Sequence, residues 1–137
     1  MKNDSAPRTR TLRIVIMDDE DWLREAYSIM LRGWYDGAEV LKFDDPRAAL
    51  QELSRSHTDL FITDIHHSGM SGAEMLEHLA ERKVKYPILV ISAALSMHGE
   101  DERRGWGPGL NVSFLSKPMS AEEFRTAVEA ALQIPAR

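Results

Sequence analysis

Apolar positions along this chain follow two alternating rhythms. Short unbroken runs, Ile14-Val15-Ile16-Met17, Leu60-Phe61-Ile62-Thr63, Ile88-Leu89-Val90-Ile91 and Val112-Ser113-Phe114-Leu115-Ser116, are separated by stretches where apolar side chains recur every three or four residues. Runs of that length suit strands buried on both faces, and the helical spacing between them suits crossover helices. The pattern predicts strands over Leu12 to Met17, Ala38 to Phe43, Asp59 to Thr63, Pro87 to Ile91 and Val112 to Leu115. Between the first two lies a helix whose inner side is Leu23, Ala26, Tyr27, Met30, Leu31 and Trp34, ended by Gly33 and Asp36-Gly37. Asp45-Pro46 supplies an N-cap and first-turn proline for a helix carrying Ala49, Leu50 and Leu53. After a loop with Gly69, Ser71 and Glu74 form a capping box ahead of Met75, Leu76 and Leu79. Ser120 and Glu123 do the same ahead of Phe124, Val128, Ala131 and Leu132.

The segment from Ala93 to Asn111 breaks the rhythm. A fourth helix is due there, but Gly99 interrupts it and Gly105, Gly107, Pro108 and Gly109 oppose helix in its second half. A short or irregular helix and a long loop are expected. Residues 1–10 read as a flexible N-terminal tail, residues 11–133 as one α/β domain, and residues 134–137 as a C-terminal tail.

Candidate chemistry gathers at the strand ends. The first run leads into Asp18-Asp19, the third predicted strand into Asp64, the fourth into Ser92 and the fifth into Lys117-Pro118. Parallel strands deliver all of these to one carboxyl edge of the sheet, where open α/β folds bind ligands. Two carboxylates about 4 Å apart repel by up to about 4 kcal/mol at an effective dielectric near 20, so the three acids need a cation. Mg²⁺ suits them, because it takes hard oxygen ligands and keeps several waters. One carboxylate can then act as nucleophile toward phosphorus, with Lys117 as a point charge and Ser92 as a hydroxyl donor.

Composition narrows the partners. With 17 basic and 22 acidic side chains the formal net charge is -5, so no general basic field draws these residues to nucleic acid or anionic lipid. The chain has no cysteine, which removes disulfide frameworks and thiolate metal sites and suits the cytoplasm. The apolar stretch behind the basic first residues is too short for a signal-peptide core or a membrane span.

The acidic pair Asp18-Asp19, the segment Phe61-Ile62-Thr63-Asp64 followed by Met70, Ser71 and Gly72, the pair Ser92-Ala93, and Lys117-Pro118 together resemble the receiver domain of bacterial two-component response regulators. The resemblance covers about residues 11 to 133 and implies a flavodoxin-like fold, a doubly wound five-stranded parallel sheet of order 2-1-3-4-5. It implies that Asp64 accepts a phosphoryl group from a histidine kinase or phosphotransfer protein. It further implies that Asp19, Asp64 and the His66 backbone carbonyl bind Mg²⁺, that Asp18 holds a metal-bound water, and that Lys117 pairs with the phosphoryl group. Ser92 would move toward the phosphate and let Phe114 rotate inward, relaying the signal to a downstream protein or output domain, with a homodimer as a further option. Such a domain catalyses phosphoryl transfer to, and hydrolysis from, its own aspartate but is a switch, not a metabolic enzyme. With about four residues after the last helix, the chain reads as a stand-alone regulator or an excised receiver.

Departures from the family pattern are Ser68 where proline is usual, His66 and Ala94 at positions that influence phosphoryl loss, and Phe114 in place of a hydroxyl-bearing tyrosine. Two other readings fit parts of the sequence. Asp19-x-Asp21 after a strand is similar to the nucleophile motif of haloacid-dehalogenase-type phosphohydrolases, but that reading leaves Asp64 idle. A receiver-like binding module independent of phosphorylation is the third. Simpler roles suffice elsewhere: Asp44-Asp45 and Glu100-Asp101-Glu102 as caps and solvated surface, and His66-His67 as neighbours that point apart. His57, His78 and His98 need no role, and Trp22, Trp34 and Trp106 serve as packing residues, the last with the option of a partner contact.

Overall fold

The computed structural model describes residues 11–65, 69–93 and 108–137. The N-terminal tail, His66, His67, Ser68, Ala94, His98, Trp106 and most of the expected irregular fourth-helix segment lie outside the described residues.

Strands β1 (Arg13–Met17), β2 (Glu39–Phe43), β3 (Leu60–Thr63), β4 (Ile88–Ser92) and β5 (Val112–Ser116) alternate with α1 (Asp21–Trp34), α2 (Pro46–Arg55) and α3 (Gly72–Glu81), and α4 (Ala121–Leu132) follows β5. The strands pair in parallel in the order β2-β1-β3-β4-β5. This is the doubly wound flavodoxin-like sheet expected from the resemblance, and the strand bounds differ from the sequence pattern by a residue.

The unbroken apolar runs are explained by burial on two faces. Along β1, Val15 and Met17 face the α2 and α3 side with Leu50, Leu53, Leu76 and Leu79, while Ile14 and Ile16 face Tyr27, Leu31, Phe124 and Val128 on the α1 and α4 side. β3 and β4 split the same way, Phe61, Ile88 and Val90 to one layer and Leu60, Ile62, Leu89 and Ile91 to the other. Each fully buried side chain of this size is worth roughly 1.5–3 kcal/mol of transfer free energy. All five residues of β5 are only partly buried or exposed, as an edge strand allows.

Helix starts follow the predicted chemistry. Asp45 accepts from the Arg47 amide at 3.1 Å with Pro46 behind it, and both capping boxes form, Ser71 with Glu74 and Ser120 with Glu123. Gly72 is required for space, because a Cβ there would lie 2.6 Å from Ile65 Cα and 2.7 Å from Ile65 O. Its amide donates to that same carbonyl at 2.8 Å, which binds the β3–α3 connection against the start of α3. Past α4 the chain stays attached: the Tyr35 hydroxyl donates to Ile134 O at 2.7 Å and the Arg137 amide to Trp34 O at 3.0 Å. Trp34 packs against Phe124 with ring centroids 5.6 Å apart. Trp22 departs from the packing role expected of it. It sits in the first turn of α1 on the outer side and is 66% exposed.

Candidate functional site

Strand register fixes the level at which each polar residue leaves the sheet. Met17 pairs with Thr63, so Asp18 and Asp64 emerge side by side, tied by the Asp64 amide donating to Met17 O at 3.1 Å. This is the point where the strand order reverses, with β1 and β3 as central neighbours whose connections diverge. Ser92 pairs with Ser116, and the Lys117 amide donates to Ser92 O at 3.1 Å. The peptide between Lys117 and Pro118 is cis.

These placements bring one ammonium to the two central acids. Lys117 Nζ donates to Asp64 Oδ2 at 2.8 Å and to Asp18 Oδ2 at 3.1 Å, with Glu20 Oε1 at 3.9 Å. Asp18 is buried and its other oxygen accepts from the Glu20 amide at 2.9 Å, so its carboxylate is oriented by protein on both sides. Burial works against the Lys117 charge, but the hydrogen bond and charge of Asp64, followed by Asp18, outweigh it and push the pKa up to about 12. Lys117 therefore stays fully charged at neutral pH.

Three carboxylates share that single ammonium, a formal excess of two negative charges in one small volume. Among the described residues no three His, Cys, Asp or Glu side chains form a ready metal cage. The donor set nevertheless fits a hard, partly hydrated cation: oxygen ligands from adjacent strand ends, and negative charge that one lysine does not neutralise. Asp19 is exposed at the end of β1 next to this cluster in sequence, and His66 lies outside the described residues.

Ser92 is buried at the end of β4, one strand away from Asp64. Phe114 sits two residues before Ser116 on β5 and is half-buried against the layer that contains Val90. The Thr63 hydroxyl donates to Asp64 O at 2.9 Å, holding the backbone where β3 ends.

Three contributors escaped the sequence reading. Glu20 approaches Lys117, Arg24 reaches back from α1 to the Asp18 carbonyl, and Tyr27 packs beneath the cluster. Burial pushes the Tyr27 phenol up to about 12, and Lys117, Asp18, Asp64 and Glu20 all act on it electrostatically. Arg24 was findable, since it lies one helical turn from Asp21 in the turn that follows the acidic pair. Tyr27 was legible only as an apolar position.

Comparison with known proteins agrees with this fold. The model of the response regulator receiver domain matches residues 14–129. The two-component response regulator PhoP of Pseudomonas aeruginosa is 27% identical over 122 residues, 89% of this chain and 52% of that protein. The phosphate regulon transcriptional regulatory protein PhoB of Escherichia coli is 26% identical over 121 residues, 88% of this chain and 52% of that protein. The chain thus spans about half the length of these curated relatives. Among solved structures, the signal receiver domain of an HD domain-containing protein from Pseudomonas fluorescens superposes with TM-score 0.79 at 21% identity, covering 93% of this chain and 91% of that one. The chemotaxis response regulator CheY4 of Vibrio cholerae gives TM-score 0.75 at 23% identity, covering 90% and 100%. With the family match over most of its length and the fold and strand-end cluster described above, this chain belongs to the receiver domains of two-component response regulators.

Proposed function

We propose that this chain is a phosphorylation-controlled switch in which Asp64 accepts a phosphoryl group from a histidine kinase or phosphotransfer protein. The observation that carries the reading is the Lys117 ammonium held between Asp64 and Asp18 at 2.8 and 3.1 Å. An Asp64 oxygen forms the new bond to phosphorus as the bond to the donor imidazole nitrogen breaks, and the imidazole leaves with the electron pair and takes up a proton. Lys117, already beside Asp64 and fully charged, pairs with the phosphoryl oxygens. Hydrolysis returns the Asp64 carboxylate and releases inorganic phosphate when water attacks phosphorus. Asp64, Asp19, Asp18 and the His66 backbone carbonyl would hold Mg²⁺, which would supply charge neutralisation for the transferring group.

Phosphorylation adds about 1.5 to 2 negative charges to a cluster that is already acidic. The Ser92 hydroxyl, at the end of the neighbouring strand, donates to the new oxygens, and Phe114 turns into the space that Ser92 leaves. The face around β5 then changes for a downstream protein or output domain. Residues 11–133 are assigned to the receiver unit and 134–137 to a tail docked on α1, with the cytoplasm as the compartment. No helix among the described residues is long and apolar enough to cross a membrane. The absence of direct nucleic-acid contact is proposed for these residues alone, since relatives named as transcriptional regulators extend over as much chain again.

The phosphohydrolase alternative is disfavoured by Asp21, whose carboxylate is exposed in the first turn of α1 and paired with Arg24, leaving Asp19-x-Asp21 without two converging acids. The test is intact-mass measurement after incubation with Mg²⁺ and acetyl phosphate. Wild type gains one phosphoryl and Asp64→Asn gains none. If wild type shows no gain and beryllofluoride also produces no metal-dependent complex, the proposal fails.

A further inference from the structure

The outer side of α1 is apolar where a solvated helix surface is ordinarily polar. Among the described residues the exposed large apolar side chains are Trp22, 66% exposed, and Ile29, 63% exposed, and both lie on this one helix. Seven residues apart, they share a face, and at 3.6 residues per turn Ala26 and Gly33 complete with them a stripe about 60° wide. Tyr27, Ser28 and Leu31, the buried residues of α1, are on the opposite side, so the core does not account for the stripe. Gly33 adds a separate observation. It sits in the last turn of α1 without a positive φ, so its backbone does not need glycine, which costs up to about 1 kcal/mol in a helix relative to alanine. Crowding does not demand glycine either, since a Cβ at Gly33 would meet no atom of the described residues within 4 Å. The result is an open notch on the outside of the helix, one turn from the exposed Ile29.

We propose that this face is a self-association surface whose occupant is the α1 helix of a second copy of this chain, packed antiparallel about a two-fold axis midway between Tyr27 and Ser28. A two-fold contact has to be self-complementary, because whatever residue i meets, the copy of that residue meets i. With the axis there, Trp22 stands level with Gly33 of the second copy and Ala26 stands level with its Ile29. Each large side chain meets a small one, four times over the contact. Charge agrees with this register. Glu25 and Arg32 are exposed along one flank of the stripe and lie two turns apart, too far along the helix to pair with each other. Chain reversal brings each Glu25 to within about 3 Å, measured along the axis, of Arg32 in the other copy, at a rise of about 1.5 Å per residue. Arg32 forms no ion pair among the described residues, whereas Glu25 holds Lys42 and keeps a second oxygen. A parallel pair would instead set Glu25 on Glu25 and Trp22 on Trp22. The association does not depend on Asp64 accepting a phosphoryl group.

Sedimentation equilibrium of the full chain tests this, in EDTA, at low ionic strength and without a phosphodonor, so that the result is separate from the chemistry at Asp64. One helix face from each copy makes a contact smaller than the roughly 1,000 Å² of stable interfaces, so a dimer should form with Kd on the order of 0.1 mM. Gly33→Gln fills the notch with a neutral helix former. It should weaken the dimer at least about tenfold while leaving the thermal midpoint of dilute protein unchanged or higher. Glu25→Arg and Arg32→Glu should each weaken it about fivefold, since by symmetry either change sets like charges together twice. The two reversals combined should return the affinity to within about twofold of wild type. A chain that stays monomeric up to about 1 mM, ten times the expected Kd, overturns the proposal. So does a dimer that Gly33→Gln leaves intact, or a doubly reversed variant that associates no better than the single reversals.

Discussion

Lys117→Met should change the sign with which Asp64 acts on stability. The raise of Lys117 from 10.5 to about 12 means the folded protein favours its charge by about 2 kcal/mol, so removing it costs roughly that much at pH 7. Asp64 Oδ2 and Asp18 Oδ2 lie 2.8 and 3.1 Å from the same nitrogen, hence at most 5.9 Å apart. At an effective dielectric near 20 their mutual repulsion is then at least about 3 kcal/mol. In the wild type, Asp64→Asn gives up an attraction to Lys117 of about 6 kcal/mol on the same scale but also relieves repulsion from Asp18 and Glu20 of nearly that size. It should therefore be close to neutral, within about 1 kcal/mol. In the Lys117→Met background that attraction is gone while the repulsion persists, so Asp64→Asn should stabilise by about 5 kcal/mol on the same scale. Urea unfolding in EDTA at low ionic strength reads this as a midpoint shift of roughly 2–5 M, given typical slopes of about 1–3 kcal/mol/M. Added Mg²⁺ should recover Lys117→Met more than wild type, since it takes over the neutralisation. Equal effects of Asp64→Asn in the two backgrounds would refute the idea that one ammonium holds both acids.

Two further predictions concern packing and pH. Gly72→Ala drives a methyl group into the Ile65 backbone at 2.6 and 2.7 Å, so it should cost about 2–3 kcal/mol in urea unfolding and slow Asp64 labelling by acetyl phosphate, whereas Ala73→Ser, one residue on, should do neither. For Tyr27 and Tyr86, burial pushes the pKa up to about 12, and Lys117 also titrates near 12. The folded state therefore keeps protons that the unfolded chain releases near pH 10 to 10.5, and stability that is complete below pH 10 should fall steadily through pH 12. Absorbance titration of the phenols should show a first ionisation above the ordinary value near 10, and normal titration of all three tyrosines in the native protein would contradict the burial described.

Much of this molecule was written in local chemistry. Unbroken runs such as Ile14 to Met17 announce strands buried on both faces, Asp45-Pro46 and the Ser71/Glu74 and Ser120/Glu123 pairs mark helix starts, and polar residues at the run ends mark the edge that matters. These signals are legible because period and capping depend on neighbours within a few residues. Tertiary structure decided what depends on distance across the sheet. Register between β1 and β3 placed Asp18 beside Asp64, and β5 carried Lys117 across to both, a convergence that sequence spacing suggests only when a parallel sheet is assumed. Trp22 has the apolarity of a core residue, yet its position on α1 turns it outward. Tyr27 shows the opposite limit: its spacing foretold burial but not a hydroxyl without a partner among the described residues, because whether a buried polar atom is satisfied depends on side chains brought from elsewhere in the chain.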